Sequence, residues 1–152
     1  MQYVERELAP DIKIPIRLAV IKPNGSPSII SLWYIDIEGK IYCATQKSAK
    51  IIQYLESNPN CGFEIAPDKP PYKGSRGEGI VKIIPSKGPK ILHILIKKYL
   101  GKKESTLSKF LKSHSKNEIA IEITPKKIFH YDYSKRMKGI WKNQSLYKID
   151  LS

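Results

Sequence analysis

Two turn signals, Pro23-Asn24-Gly25 and Glu38-Gly39, divide the first 45 residues into three runs with the two-residue period of a β-strand. That punctuation constrains the fold more than any other feature of the chain. Ile12 to Lys22 alternates apolar and polar positions. Pro27 to Asp36 holds Ile29, Ile30, Leu32, Trp33, Tyr34 and Ile35, too many β-branched and aromatic residues for a surface helix. Lys40 to Thr45 is a third strand. Strands spaced about ten residues apart predict an antiparallel meander belonging to a sandwich or a barrel.

The period then changes. In Ser48 to Ser57 the apolar Ile51, Ile52, Tyr54 and Leu55 fit one face of a short helix, which Asn58-Pro59 stops. Asn60 to Ala66 returns to strand, Pro67 to Pro71 is a stiff loop, and Gly74 to Pro85 is a further strand. Its glycines, Gly74, Gly77 and Gly79, predict a bulge or a close backbone approach. Pro89 opens a helix to Leu100 with Ile91, Leu92, Leu95 and Ile96 as its buried stripe. Gly101 closes that helix before a second amphipathic stretch, Leu107 to Leu111. A last strand, Glu118 to Thr124 and Lys127 to Tyr133, broken at Pro125, closes the barrel. The expected architecture is mainly β, an antiparallel barrel with a few peripheral helices. It forms one domain over 1–152, with a barrel core at about 10–133, a helical turn before Pro10 and a basic tail, 134–152, carrying Trp141 and Tyr147.

Composition fits one core. A chain of 152 residues, 41% apolar, buries roughly 70% of its unfolded surface without disulfides. No run approaches the roughly 20 apolar residues of a membrane-spanning helix, and the charged N-terminus lacks the apolar segment of a signal peptide. The chain therefore reads as a soluble, cytoplasmic protein. Cys43 and Cys61 form no metal-ligand spacing and are expected as buried thiols. The net charge of +13 suits a nucleic-acid partner. It equally suits a thermophile-like composition in which lysine far outnumbers arginine. Its densest stretch, Lys97, Lys98, Lys102, Lys103, Lys109, Lys112 and Lys116, is expected as a solvated helical face.

No G-x-S-x-G, P-loop, H-E-x-x-H or dinucleotide fingerprint occurs, and His93, His114 and His130 are isolated. Arg17 on the first strand and Thr45-Gln46-Lys47-Ser48-Ala49-Lys50 at the start of a helix offer hydroxyls, ammonium groups and helix N–H groups to an anion. The same residues also read as a Ser48 cap with solvated lysines.

Four segments in order resemble the FMN-binding split β-barrel proteins related to pyridoxamine 5'-phosphate oxidase. These are Arg17-Leu18-Ala19-Val20-Ile21-Lys22, matching R-x-x-x-x-K, and Gly25-Ser26-Pro27 with Trp33-Tyr34. Next come Thr45 with Ser48-Ala49-Lys50 and Asn58-Pro59, and finally Tyr72-Lys73-Gly74 with Gly79-Ile80-Val81. The resemblance spans roughly residues 10 to 85. It implies a homodimer with FMN, or a deazaflavin, at the subunit interface and a flavin-dependent oxidoreductase acting on a small substrate. Arg17 and Lys50 would hold the phosphate, with Ser48 and Thr45 donating hydrogen bonds and Ala44 and Gly74 beside them. Backbone groups of Leu18, Ala19, Val20 and Ile21 would meet the ring along an exposed strand edge.

On the same resemblance, Lys22 would face ring or substrate; alternatively it ends a strand in solvent. Ala49 stands where the family carries arginine, and Lys47 is the nearby residue that would make up the charge. Tyr34, Tyr72 and Trp141 are the aromatics that would stack a substrate. The C-terminal substrate motif of the true oxidase is absent, so that specific activity is not expected. The alternatives are a basic barrel binding nucleic acid through its lysine-rich helices, and a barrel acting as a scaffold.

Overall fold

The computed structural model describes residues 13–135. Seven strands, β1 (Ile16–Ile21), β2 (Pro27–Leu32), β3 (Ile35–Ile37), β4 (Lys40–Gln46), β5 (Asn60–Ile65), β6 (Lys73–Ile84) and β7 (Glu118–Asp132), form one sheet. The order is β2-β1-β5-β6-β7-β4-β3, and every neighbouring pair is antiparallel. Ile16, Leu18 and Val20 of β1 share one apolar cluster with Ile41 and Cys43 of β4, although three strands separate β1 from β4 in the sheet. Only a sheet curled about a common interior brings them together. Helix α1 (Lys50–Ser57) adds Ile51, Ile52 and Leu55 to that interior, and its end is fixed by the Asn58 N–H donating to the Tyr54 carbonyl at 2.8 Å.

The outer face of the sheet is only half covered. Helix α2 (Gly88–Leu100) lays Ile91, Leu95 and Tyr99 over Tyr42 of β4 and Ala120 of β7. It starts so close to β7 that a Cβ on Gly88 would lie 1.8 Å from the Glu118 carbonyl oxygen. Gly101 ends α2 at φ +82, the left-handed region that glycine enters without strain. Helix α3 (Thr106–Ser113) follows, capped by Ser105. Among the described residues the outer faces of β2, β1, β5 and β6 are left open. Among the described residues no helix is long and apolar enough to cross a membrane.

Several expectations need correction. The run Pro27 to Asp36 is not one strand: it breaks at Trp33-Tyr34, so β1–β2 and β3–β4 are separate hairpins at opposite ends of the sheet rather than a meander. The cause is distant in sequence. Trp33 stacks on Tyr99 with ring centroids 4.9 Å apart, the Tyr34 N–H donates to the Tyr99 hydroxyl at 3.2 Å, and that hydroxyl donates to the Ile14 carbonyl at 2.7 Å. Lys98, expected in solvent, is half-buried. Its ammonium donates to the Tyr34 carbonyl at 2.7 Å and lies 3.8 Å from the Tyr34 ring centre, and burial draws its pKa below the usual lysine range.

Pro125 does not break β7. Gly79 pairs with Pro125 and Glu78 with Lys127, so Lys126 bulges out and the ladder continues; the bulge expected from the β6 glycines sits at this step. Both cysteines are buried, as expected, and burial pushes the Cys61 thiol up to about 11. The helical turn before Pro10 and most of the basic tail, including Trp141, lie outside the described residues.

Tyr99→Phe keeps the ring stack but strips a donor from Ile14 and an acceptor from Tyr34. Urea denaturation should show a loss of about 1–3 kcal/mol. An unchanged midpoint would mean that this hydroxyl does not hold the Trp33-Tyr34 break.

Candidate functional site

Because β1, β2, β5, β6 and β7 are in register, their outward side chains line up in rows across the open face. One row reads Ser31, Arg17, Glu64, Arg76 and Phe129; the next reads Ile29, Ala19, Gly62, Glu78 and Lys127. In the second row a methyl group and a bare glycine lie side by side. They floor a cleft of about 500 Å³ bounded by the larger side chains of the first row, Ile29 and Glu78. A Cβ built on Gly62 would meet only ordinary contacts, Gly77 O at 3.7 Å and Ala19 Cβ at 3.8 Å. The space above Gly62 is thus a cradle that any side chain there would fill.

Polar contacts fix the rim. The Arg17 guanidinium donates to the Ser31 hydroxyl and lies 3.9 Å from the carboxylate of exposed Asp68. The Tyr131 hydroxyl donates to Glu64 Oε2 at 2.8 Å, and the Arg76 guanidinium carbon sits 5.1 Å from the Tyr131 ring centre. Burial, then the carboxylate it donates to, pushes the Tyr131 phenol up to about 12.

The cleft continues towards a fork. The β1–β5 ladder runs from Arg17 to Ala19 and stops, and an opening of about 420 Å³ lies between Val20 and Ile21 on one side and Asn60 and Cys61 on the other. The expectation of an exposed strand edge from Leu18 to Ile21 is therefore corrected. β1 is an interior strand, paired with β2 throughout and with β5 from Arg17 to Ala19, and of the four residues expected at an edge Val20 and Ile21 are the two whose β5-facing backbone lies outside a ladder. Leu18 and Val20 point their side chains into the core, whereas Arg17, Ala19 and Ile21 face the open side.

The other expected site residues surround α1. Lys47, Ser48 and Lys50 are exposed, with the Lys47 N–H donating to the Asn117 carbonyl at 3.0 Å and the Ala49 N–H to Gln46 at 2.9 Å. Ala49, not Ser48, occupies the cap position of α1, and among the described residues no side chain caps its N–H groups. This removes the reading of Ser48 as a cap. Thr45 is half-buried opposite Ile119, and α1 packs against β1. Ala44 packs with the α2 cluster on the covered face. Gly74 has a packing reason, since a Cβ there would lie 2.5 Å from Ala66 Cβ. Lys22 closes the β1–β2 turn, its carbonyl accepting from Gly25. Tyr34 is 2% exposed and offers no stacking surface, while Tyr72 is 42% exposed. Sequence reasoning missed Gly62, Arg76 and Phe129. A glycine inside the apolar alternation of β5 was the available signal.

No family model matches the chain, and no curated protein matches it in sequence. Solved structures do. The conserved hypothetical protein Rv2991 of Mycobacterium tuberculosis superposes with a TM-score of 0.73 at 19% identity, covering 89% of this chain and 87% of that one. An F420 reductase gives 0.66 at 16% identity, covering 78% and 91%. A FAD-binding protein from Mesorhizobium loti gives 0.59 at 16%, covering 84% and 92%. The chain has the split β-barrel fold. In split-barrel terms, the open face of β2, β1, β5 and β6 is the outside of the barrel wall, and α1 packs against β1 within it.

The floor of the cleft can be tested without a ligand. Gly62→Ala should leave stability within about 0.5 kcal/mol, as at an unconstrained surface position. Gly77→Ala, whose Cβ would lie 2.2 Å from the Lys127 carbonyl oxygen, should cost about 1–3 kcal/mol. Equal melting temperatures for the two variants would contradict this geometry.

Proposed function

We propose that the open face of the barrel binds a flavin-type cofactor, FMN or a deazaflavin, and that the chain is a flavin-dependent oxidoreductase acting on a small substrate. The observation that carries this reading is the trough over Ala19 and Gly62, a flat floor beside a guanidinium and leading to unladdered backbone. A planar ring system fits such a floor, and side chains larger than alanine would abolish it. The likeness to an F420 reductase and to a FAD-binding protein supports the cofactor class.

In this reading Arg17 and Lys50 neutralise the cofactor phosphate, and Ser48, Thr45 and the uncapped N–H groups of α1 donate to it. Lys47 supplies the charge that Ala49 does not. The backbone of Val20 and Ile21 offers donors and acceptors to the polar edge of the ring. When bound, the cofactor supplies hydride transfer; the protein supplies position, an anion anchor and exclusion of water. Ile29 at 72% exposure, Phe129 at 48%, and Ile21 and Ile80 at 40% each make the same face apolar, which favours a homodimer that closes over the cleft.

Titration of the apo protein with FMN, and separately with a deazaflavin, followed by flavin fluorescence, should saturate near one cofactor per chain for one of them. Lys50→Ala and Arg17→Ala should each weaken that binding about tenfold or more without unfolding the domain. Gly62→Val should abolish it by filling the trough. The reading fails if neither cofactor binds, or if Gly62→Val binds as well as the parent.

A further inference from the structure

Helix α3 is turned the wrong way for a helix that only packs on its own protein. Ser108 is buried at 1% exposure, while Leu107 is 50% exposed and Phe110 59%. The orientation is held in place. The Ser108 N–H donates to the Ser105 hydroxyl at 3.0 Å, and the Ser108 hydroxyl accepts from the Ser105 N–H at 2.9 Å and donates to the Ser105 carbonyl at 3.0 Å. This reciprocal capping box fixes the rotation of the first turn. Leu107 and Phe110, three residues apart, share the outward side of the helix.

The surroundings of this apolar pair are strongly basic. Between Lys97 and Asn117 there are seven lysines and one acid, Glu104. Two of the lysines are engaged, Lys98 by Tyr34 and Lys112 by Glu104 at 3.6 Å. Lys97, Lys102, Lys103, Lys109 and Lys116 are exposed.

We propose that α3 and its flanking loops dock on the surface of an anionic lipid bilayer, with Leu107 and Phe110 entering the boundary between headgroups and acyl chains and the lysines meeting the headgroup charge. Two parts of the surface point to this partner together. Lysines attract any polyanion, but a single-stranded nucleic acid would stack a base on Phe110 and leave Leu107 in water, whereas a bilayer interface buries both. A second copy of this chain would bring a second set of lysines against the first, which like-charge repulsion opposes. The proposal does not depend on cofactor binding, because α3 lies on a different element from the trough over Ala19 and Gly62.

The test is sedimentation of the full chain with extruded vesicles of phosphatidylcholine alone and of phosphatidylcholine mixed with phosphatidylglycerol, at low and high salt. Binding should require the anionic lipid and fall with salt. The double variant Leu107→Ser/Phe110→Ser, whose replaced side chains are exposed, should retain its melting temperature and lose about tenfold or more in binding. Lys102→Glu/Lys103→Glu should lose a comparable factor, and Lys73→Glu/Lys82→Glu, of equal charge change on the barrel wall, much less. The proposal is overturned if anionic and neutral vesicles bind alike or not at all. It is also overturned if the Leu107 and Phe110 replacements leave binding unchanged, or if a single-stranded oligonucleotide binds through Phe110 while vesicles do not.

Discussion

The Tyr99 hydroxyl ties together three parts of the chain that are remote in sequence. It donates to the Ile14 carbonyl just before β1, accepts from the Tyr34 amide at the break between β2 and β3, and belongs to the last turn of α2. Its ring stacks on Trp33, and Lys98 beside it covers the Tyr34 ring. This junction sets where α2 lies on the barrel. Because α2 covers β4 and β7, the described residues leave β2, β1, β5 and β6 bare, and the candidate cofactor cleft lies on that bare part. A helix displaced across the sheet would either fill the trough or uncover Tyr42 and Ala120.

Charge is divided between the two surfaces in different ways. On the open face Arg17 is held by the Ser31 hydroxyl and the Asp68 carboxylate, and Arg76 lies over the Tyr131 ring, so both guanidinium groups are held in place by their neighbours. An anchored guanidinium loses little conformational freedom when it takes a phosphate. Around α3 the one lysine–carboxylate pair among the described residues is Lys112 with Glu104, an arrangement suited to a diffuse anionic surface rather than to one ligand. Glu122 is a third case. Burial opposes its charge, but the Tyr42 hydroxyl at 2.9 Å and the Lys40 ammonium at 3.4 Å outweigh that, and its pKa falls below the usual carboxylate range. This carboxylate sits at the β4–β7 seam and serves the wall rather than the cleft.

Local pattern made most of the elements readable. The helical period of Ile51, Ile52 and Leu55, the stop at Asn58-Pro59 and the glycine-marked bulge step between β6 and β7 each express physics contained within a few residues. What local pattern does not contain is partnership. The break at Trp33-Tyr34 depends on Tyr99, more than sixty residues away, and nothing near Trp33 signals it. The place of β1 inside the sheet depends on β5 arriving beside it, and that arrival removed the edge expected at Leu18 and Ala19. The candidate site divides in the same manner. Arg17, Lys50 and the α1 loop were legible as charges at a strand and a helix start. Gly62 became meaningful only when it came to lie beside Ala19.

We propose a planar cofactor over Ala19 and Gly62 with its phosphate at the start of α1. Amide shift mapping of the isotopically labelled protein, with and without FMN or a deazaflavin, tests this most directly. A cofactor bound there should place the largest changes on Val20, Ile21, Gly62, Lys50 and Ile51, with α3 unaffected. Changes confined to the lysine-rich helices, with the β1–β5 fork silent, would contradict it.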